Sequence, residues 1–263
     1  MDRIIIRLGL ADDEPKVLHD RRGTTVYKID NIALKITNGL MAAREGEILH
    51  LLGTEFYRDH GWDDDRSWVT LRWIEGTNLW TEFERARRGD RSAAIKGRML
   101  ALAAGAAQEL AKLHAAGWAH GDLQPDHVIR EGERTQIIDL ACAQGPADVP
   151  FYVHRGGLAH TTAPEVADLI LNSEEHITLT AQADIWSLGA SLWWAWTRTT
   201  PITYTDPAAG RLAQLKEIAA AGRPDPSAAR PWPFTEFEEA VMACMATDPR
   251  DRPTAEHVAT ALR

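Results

Sequence analysis

The sequence predicts an α+β protein of two lobes: a small, β-rich lobe with one helix at residues 1–75, and a larger, mostly helical lobe at residues 76–263. Short apolar runs of strand length dominate the first part, whereas apolar residues recur at helical spacing from Trp80 onward. The third observation is the stretch Gly117–Ala143, in which a polar turn with two aspartates links two apolar runs. With 263 residues and 44% hydrophobic content, the chain can bury a substantial core as one large domain or as two lobes.

The small lobe is predicted to place several strands around its helix. The strand candidates are rich in β-branched and aromatic residues: Ile4–Leu8, Thr24–Ile29, Ile32–Ile36 and Trp68–Trp73. Asp30-Asn31, between the second and third runs, suits a two-residue hairpin turn. Met41–Leu52 has apolar residues at helical spacing and is predicted as the helix.

A long helix and a hairpin open the large lobe. Ala93–Ala116 has helical periodicity and stops before Gly117, a residue that suits the C′ position of a helix. Val128-Ile129 and Ile137-Ile138 are predicted to pair as a hairpin closed around Arg130–Arg134. Such a hairpin brings the residues that flank it to the same end of its strands.

Asp122 and Asp139 flank this hairpin, and their chemistry suggests different tasks. Asp122 suits a base that orients a hydroxyl group. Asp139 suits a hard oxygen ligand for Mg²⁺. The pair therefore indicates a metal-assisted reaction at one end of the hairpin.

Gly117–Ala143 resembles the catalytic and metal-binding loops of the protein kinase family, which have the patterns H-R-D-L-x-x-x-N and D-F-G. Here those patterns read His120–His127 and Asp139–Ala141. Three further family motifs follow in order, A-P-E, D-x-W-S-x-G and D-P-x-x-R-P-T, at Ala163–Glu165, Asp184–Gly189 and Asp248–Thr254. The resemblance implies a bilobal protein kinase-like fold. Small-molecule phosphotransferases generally lack A-P-E and D-x-W-S-x-G, so the large lobe is similar to that of protein kinases.

The same resemblance implies roles for charged residues in both lobes. Ile32–Lys35 looks like the V-A-I-K strand, whose lysine holds the α- and β-phosphates of ATP, and Glu45 is placed like the glutamate that pairs with it. Asp122 would orient the acceptor and Asp139 would bind the metal. The family arginine at Arg252 pairs with Glu165, and the family aspartate at Asp184 accepts backbone N–H bonds from the catalytic loop.

ATP with Mg²⁺, or Mn²⁺ in its place, is the implied cofactor. The residue matches assign nucleotide binding to Val26, Ala33, Lys35, Leu71, Arg72, Ile74 and Ile129. Leu71–Gly76 resembles the hinge, in which adenine would bond to backbone groups of Arg72 and Ile74.

Departures from the family pattern bear on catalysis. Gly121 replaces the arginine that receives a phosphorylated activation loop. Gln124 replaces a lysine that neutralises the transferring phosphoryl group, and we expect a slower enzyme. Only Gly23 remains of the three glycines in the Gly-rich loop. Two interpretations are open: Arg21 and Arg22 contact the phosphates through their side chains, or the loop binds nucleotide poorly.

His127 replaces the asparagine that binds the second Mg²⁺. Three interpretations remain open. His127 orients Asp122 while Asp139 alone holds a metal; or it coordinates a softer metal such as Mn²⁺; or the second metal site is lost and phosphoryl transfer is negligible.

The segment from Asp139 to Glu165 bears on the acceptor. Leu158 stands where the family has a substrate-positioning threonine, which argues against ordinary Ser/Thr peptide recognition. Phe151-Tyr152 and His154-Arg155 are candidates for lining a different acceptor site, or for packing the loop on the large lobe.

Composition limits the partners. A net charge of −9 argues against nucleic acid and anionic membranes. The two cysteines, Cys142 and Cys244, lie far apart and have neither disulfide nor zinc spacing, which favours a reducing cytoplasm. The N-terminal residues lack a signal-peptide pattern, and no apolar run has bilayer-spanning length. We expect a soluble, cytoplasmic protein.

Two functions of different classes follow. The first is an ATP-dependent phosphotransferase acting on a hydroxyl. Protein Ser/Thr acceptors come first because of the large lobe. A peptide or small-molecule acceptor comes second because of Gly121, Leu158 and the ten tryptophans. The second is a pseudokinase, a nucleotide-binding or nucleotide-free scaffold. The intact Lys35, Glu45 and two aspartates favour catalysis. The Gly-poor loop, Gln124 and His127 favour the scaffold.

Overall fold

The computed structural model describes residues 2–11, 14–221 and 229–263. The chain forms two compact units, the first of Met1–Glu75, Leu140–Ala143 and Ala147–Tyr152, the second of Gly76–Asp139, Gln144–Pro146 and Val153–Arg263. With 44% helix and 18% strand, and its five-stranded sheet in the N-terminal part, the chain has the predicted α+β class. Within the described residues, no helix combines the length and the apolar composition that a bilayer crossing needs.

The first unit is an antiparallel sheet with two helices. Its strands are β1 (Lys16–Arg21), β2 (Thr24–Ile29), β3 (Ile32–Asn38), β4 (Tyr57–Asp63) and β5 (Arg66–Arg72), in the order β1-β2-β3-β5-β4. The helices are α1 (Arg3–Arg7) and α2 (Met41–Leu51). α2 packs on β4, β5 and the 3₁₀ turn Leu140–Cys142. A segment from the second half of the sequence thus belongs to this unit.

The predicted strand Ile4–Leu8 is wrong, because these residues form α1. The Asp2 side chain accepts a hydrogen bond from the Ile4 N–H at 2.9 Å and caps the helix. Gly9 follows the C-terminus with φ +68°, in the left-handed region that suits a helix end. Ile4 and Ile5 are both buried in the core with Ile29, Leu34, Ile36 and Trp68. Two adjacent buried side chains fit a helical face, not the alternation of a half-buried strand.

The predicted turn at Asp30-Asn31 is confirmed. Ile29 pairs with Ile32 across it, and Asp30 has φ +49°. A second tight turn, Arg22-Gly23, joins β1 to β2 with both residues at positive φ. The stretch that replaces the Gly-rich loop is therefore a two-residue hairpin turn in which glycine relieves strain at one position.

The second unit is mainly helical. Its strands β6 (Thr77–Asn78), β7 (Val128–Glu131) and β8 (Arg134–Ile137) form a small antiparallel sheet. The helices of the described part are α3 (Leu79–Glu82), α4 (Glu84–Arg87), α5 (Ala93–Ala115), α6 (Pro164–Asn172), α7 (Ala181–Thr197), α8 (Arg211–Ala220), α9 (Thr235–Cys244) and α10 (Ala255–Ala261).

The long helix and the hairpin are confirmed. α5 ends one residue before its predicted limit, and Gly117 follows at φ +79°. In the hairpin, Val128 pairs with Ile137, and the turn itself is only Gly132-Glu133. α7 is the apolar centre of the unit, with Trp186, Trp193 and Trp196 buried. Since these tryptophans fill the core, they do not supply a ligand pocket.

Candidate active site

In the first unit, Lys35 and Glu45 form an ion pair. Lys35 lies on β3 and Glu45 on α2, and Nζ is 2.8 Å from Oε2. The Glu45 side chain is 2% exposed and that of Lys35 15%. A carboxylate this buried requires a charged or hydrogen-bonded partner, and Lys35 is that partner.

Arg44 holds α2 in place, a role that the sequence did not suggest. Its guanidinium donates to the backbone carbonyls of Ala141, Ala143 and Pro150 at 3.0, 2.5 and 2.6 Å. It also lies 5.1 Å from the centre of the Tyr152 ring. Burial lowers the pKa of Arg44. The only signal in the sequence was a charged side chain beside Glu45 on the apolar side of the predicted helix.

Strand pairing places several predicted nucleotide-binding residues on neighbouring strands. Val26 pairs with Lys35, and Ala33 pairs with Leu71. The Arg72 N–H donates to the Phe56 carbonyl at 2.6 Å, and Ile74 lies just beyond the end of β5. Ile129 lies on β7 of the second unit, where it pairs with Asn78 and Gln136.

In the second unit, His120 organises the loop that carries Asp122. His120 is fully buried, and burial lowers its pKa. Its Nε2 donates to the Ile138 carbonyl at 3.1 Å, so Nδ1 is left to accept from the Asp122 N–H at 3.2 Å. A neutral imidazole therefore links Ile138, the residue after β8, to the backbone of Asp122.

Asp184 fixes the same loop from α7, as the resemblance implied. Its carboxylate accepts from the backbone N–H groups of His120 and Gly121 at 2.6 and 2.9 Å. His114 Nε2 lies 3.0 Å from it. The implied pair of Arg252 and Glu165 is also present and bidentate, at 2.6 and 2.8 Å.

The Asp122 carboxylate is held by two donors. Its Oδ1 accepts from the Leu158 N–H at 2.9 Å, and its Oδ2 accepts from Gln124 Nε2 at 3.2 Å. Burial raises the pKa of Asp122, with nearby His127 opposing the shift and Asp139 adding to it. Gly157 makes this packing feasible, because a Cβ there would lie 2.1 Å from Oδ1. No motif or pattern in the sequence points to this requirement at Gly157.

His127 bridges the two aspartates. Its Nδ1 lies 2.8 Å from the Asp122 carbonyl, which can only accept, so Nδ1 carries the proton. Its Nε2 lies 3.5 Å from Asp139 Oδ2. Asp139 has φ +65° and a side chain 35% exposed. The hairpin thus brings both carboxylates to one end of its strands, as predicted, with an imidazole between them.

A divalent cation fits this donor set. Asp139 provides a carboxylate oxygen, and a histidine whose other nitrogen bonds a backbone carbonyl has the orientation of a metal ligand. Within the described residues, no group of three or more His, Cys, Asp or Glu side chains is arranged as a metal site.

Comparison with known proteins gives the family. The protein kinase domain model matches residues 53–261, which is most of the chain. The chain therefore belongs to the protein kinase family. The match includes Asp122, His127 and Asp139, whereas Lys35 and Glu45 lie N-terminal to it.

Similar proteins include several serine/threonine kinases. Probable serine/threonine-protein kinase PkwA of Thermomonospora curvata is 28% identical over 72% of this chain and 23% of its own length. Serine/threonine-protein kinase 16 of Mus musculus is 25% identical over 48% of this chain and 44% of its own. Serine/threonine-protein kinase AfsK of Streptomyces griseus is 32% identical over 40% of this chain and 13% of its own length. The chain spans less than half the length of these relatives.

Proposed function

We propose that this chain is an ATP-dependent phosphotransferase that moves the γ-phosphoryl group to a hydroxyl, most readily a serine or threonine of a protein. The observation that carries the proposal is the arrangement of Asp122, His127 and Asp139. A buried, doubly hydrogen-bonded carboxylate stands next to a second carboxylate with a metal-ligand environment. The similarity to serine/threonine kinases supports the choice of acceptor.

Asp122 acts as the base. Its raised pKa makes the carboxylate a better proton acceptor, and its two hydrogen bonds fix its direction. The acceptor hydroxyl gives its proton to Asp122 while its oxygen forms the new bond to the γ-phosphorus. The bond from that phosphorus to the bridging oxygen breaks, and ADP leaves with the electron pair.

Lys35 holds the α- and β-phosphates, and Glu45 keeps its ammonium group in position through the 2.8 Å ion pair. Gln124 contributes a hydrogen bond to Asp122 but no charge on the transferring group. We therefore expect a slower reaction than in kinases that carry a lysine at this position.

Asp139 would hold the divalent cation, with His127 Nε2 as a second ligand. The cation supplies charge neutralisation for the nucleotide phosphates when bound. Imidazole nitrogen suits Mn²⁺ better than Mg²⁺, which prefers oxygen ligands. Mn²⁺ should accordingly support nucleotide binding at least as well as Mg²⁺.

Thermal unfolding with ATP and either Mg²⁺ or Mn²⁺ tests binding. Stabilisation follows RT ln(1 + [L]/Kd), or roughly 4 kcal/mol at a thousandfold excess over Kd. We expect Lys35→Ala and Asp139→Asn to lose the shift, and the exposed controls Lys16→Ala and Asp148→Asn to keep it. His127→Asn should favour Mg²⁺, and electron paramagnetic resonance of bound Mn²⁺ should show nitrogen coupling only with His127 present.

Asp122→Asn tests the base. We expect phosphoryl transfer to fall by about 10²–10⁴-fold with nucleotide binding retained. Retained transfer in this variant would remove Asp122 from the role.

The second candidate is a pseudokinase scaffold. It is favoured by the two-residue turn at Arg22-Gly23, which leaves one glycine where phosphate approach requires several, and by the uncharged Gln124. Absence of any nucleotide-dependent stabilisation with both metals would make the scaffold the better account of the chain.

A further inference from the structure

A short segment, Arg155–Leu158, lies directly against Asp122. Leu158 donates its N–H to Asp122 Oδ1, and the Gly157 backbone approaches so closely that a side chain there would collide with that oxygen. Gly156, with φ +78°, permits the bend before it. Any acceptor hydroxyl that reaches Asp122 therefore lies beside this segment.

Arg211, the first residue of α8, is hydrogen-bonded to the segment. Its Nη2 donates to the carbonyls of Arg155 and Gly157 at 2.8 and 3.3 Å. Gly157 packs against Asp122 and also accepts a hydrogen bond from Arg211. A single residue therefore separates the Arg211 guanidinium from the proposed base. Burial, followed by repulsion from Arg155, lowers the pKa of Arg211, and the nearby Asp122 carboxylate acts in the opposite direction.

Arg155 is a second cation at the same place. Its guanidinium donates to the backbone carbonyls of Ile170 and Glu175 at 2.7 and 2.8 Å. In residues 2–11, 14–221 and 229–263, neither Arg155 nor Arg211 forms an ion pair with a carboxylate side chain. Carbonyl oxygens satisfy some of their donors but carry no formal charge, so a further anionic partner can still pair with either guanidinium.

The acidic side chains of α6 and α8 are engaged elsewhere. Asp168 accepts from Asn172 at 2.8 Å, and Glu217 accepts from Thr205 at 2.8 and 3.0 Å. The N-terminus of α8, which begins at Arg211 after Gly210, adds positive potential on the same side. Two guanidinium groups thus lie beside the segment, on a chain whose net charge is −9.

We propose that Arg155 and Arg211 recognise an acidic acceptor peptide, with an aspartate, glutamate or phosphorylated residue within one or two positions of the hydroxyl that is modified. This inference rests on the proposed function. The short spacing follows from the contact of Gly157 with Asp122 on one side and with Arg211 on the other. A carboxylate or phosphate matches the fork of a guanidinium, whereas a lysine-rich peptide is repelled by the pair.

Binding of labelled peptides without nucleotide tests the inference. Three fluorescein-labelled serine peptides carry glutamate, alanine or lysine on both sides of the serine, and fluorescence anisotropy gives their affinities. We expect the glutamate peptide to bind at least about tenfold more tightly than the alanine peptide, and the preference to shrink as salt rises. Equal affinities would overturn the proposal.

Variants locate the effect. Arg155→Gln and Arg211→Gln should each abolish most of the acidic preference, whereas Arg211→Lys should keep part of it. Lys216→Gln, which removes an exposed cation from the same helix, should leave the preference unchanged. Arg211→Glu should bind the lysine peptide better than wild type does, a gain that an unfolded variant does not produce. An equal loss in Lys216→Gln would reduce the effect to general charge and overturn the site.

Phosphoryl transfer to the same three peptides separates this inference from the proposed function. Transfer with no preference among the peptides would sink the acidic site and leave the phosphotransferase standing. Acidic preference in binding without transfer to any peptide would support the site and count against the phosphotransferase.

Discussion

At the scale of single residues, Asp122 is a carboxylate whose charged form is disfavoured by burial. A carboxylate is buried against the Gly157 backbone and receives hydrogen bonds from Leu158 and Gln124. Burial still dominates, because the pKa of Asp122 is raised. The charged form is therefore less favourable in the folded chain than in water.

We predict that Asp122→Asn is more stable than wild type at neutral pH. The folded carboxyl has a raised pKa, so wild type loses stability relative to the variant as pH rises from the ordinary value of 3.8 through the folded value. Above that window the full difference persists. The Asn oxygen can accept from the Leu158 N–H. If the Gln124 amide rotates, its oxygen can accept from the new NH₂ group.

Urea unfolding of the metal-free protein between pH 4 and pH 8 measures this difference. Asp148→Asn, at an exposed position, is the matched control and should track wild type. A variant that is less stable than wild type at pH 8 contradicts the assigned cost of burial.

At the scale of elements, two glycines of α5 lie on helix faces with different surroundings. Gly105 faces β8, where an added Cβ would lie 2.2 Å from Thr135 Oγ1. Gly97, in the same helix, is exposed and has open space at the Cβ position. Identical residues in one helix thus serve different purposes.

We predict opposite effects of alanine at these two positions. Gly97→Ala should stabilise the protein by about 0.5–1 kcal/mol, because alanine restricts the unfolded chain and favours the helix. Gly105→Ala should destabilise it by about 1–3 kcal/mol, because the helix and the hairpin must move apart. Chemical unfolding gives the free energy of unfolding of both variants. Stabilisation by Gly105→Ala would contradict the prediction, because it would show that β8 moves aside without loss of stability.

Helix α1 is an element that periodicity alone misassigned. Three consecutive isoleucines favour a strand by propensity, yet a cap at Asp2 and a glycine at the far end define a short helix. Burial of Ile4 and Ile5 together decides between the two, since propensity differences are small compared with the burial of two large side chains.

At the scale of the whole molecule, distant segments meet through buried charges. The Arg252 side chain is fully buried and links Glu165 at the start of α6 to the carbonyls of Gln182 and Ala246. The second unit is thereby tied together across residues far apart in sequence. Arg44 plays a similar part in the first unit, where it binds three carbonyls of residues 141–150.

We predict that Glu165→Gln destabilises the protein by about 2–3 kcal/mol. The substitution leaves a buried guanidinium without its counter-charge, and the partial exposure of Glu165, 29%, keeps the cost below that of a fully buried pair. The control Glu239→Gln, exposed on α9, should change stability by less than about 0.5 kcal/mol. Equal effects in urea unfolding would show that the pair contributes no more than a surface charge.

The α+β class, the long helix, the hairpin and the position of Asp122 and Asp139 at one end of it could all be predicted from the sequence, because periodicity, turn residues and short motifs are local properties of the chain. The ion pairs of Lys35 with Glu45 and of Arg252 with Glu165 were anticipated only through a family resemblance. Four features emerge only from the folded structure: Ile4–Leu8 is not a strand, Arg44 anchors α2, Gly157 packs on Asp122, and His127 turns Nε2 toward Asp139. These depend on burial and on the direction of side chains toward residues remote in sequence, which no local pattern encodes.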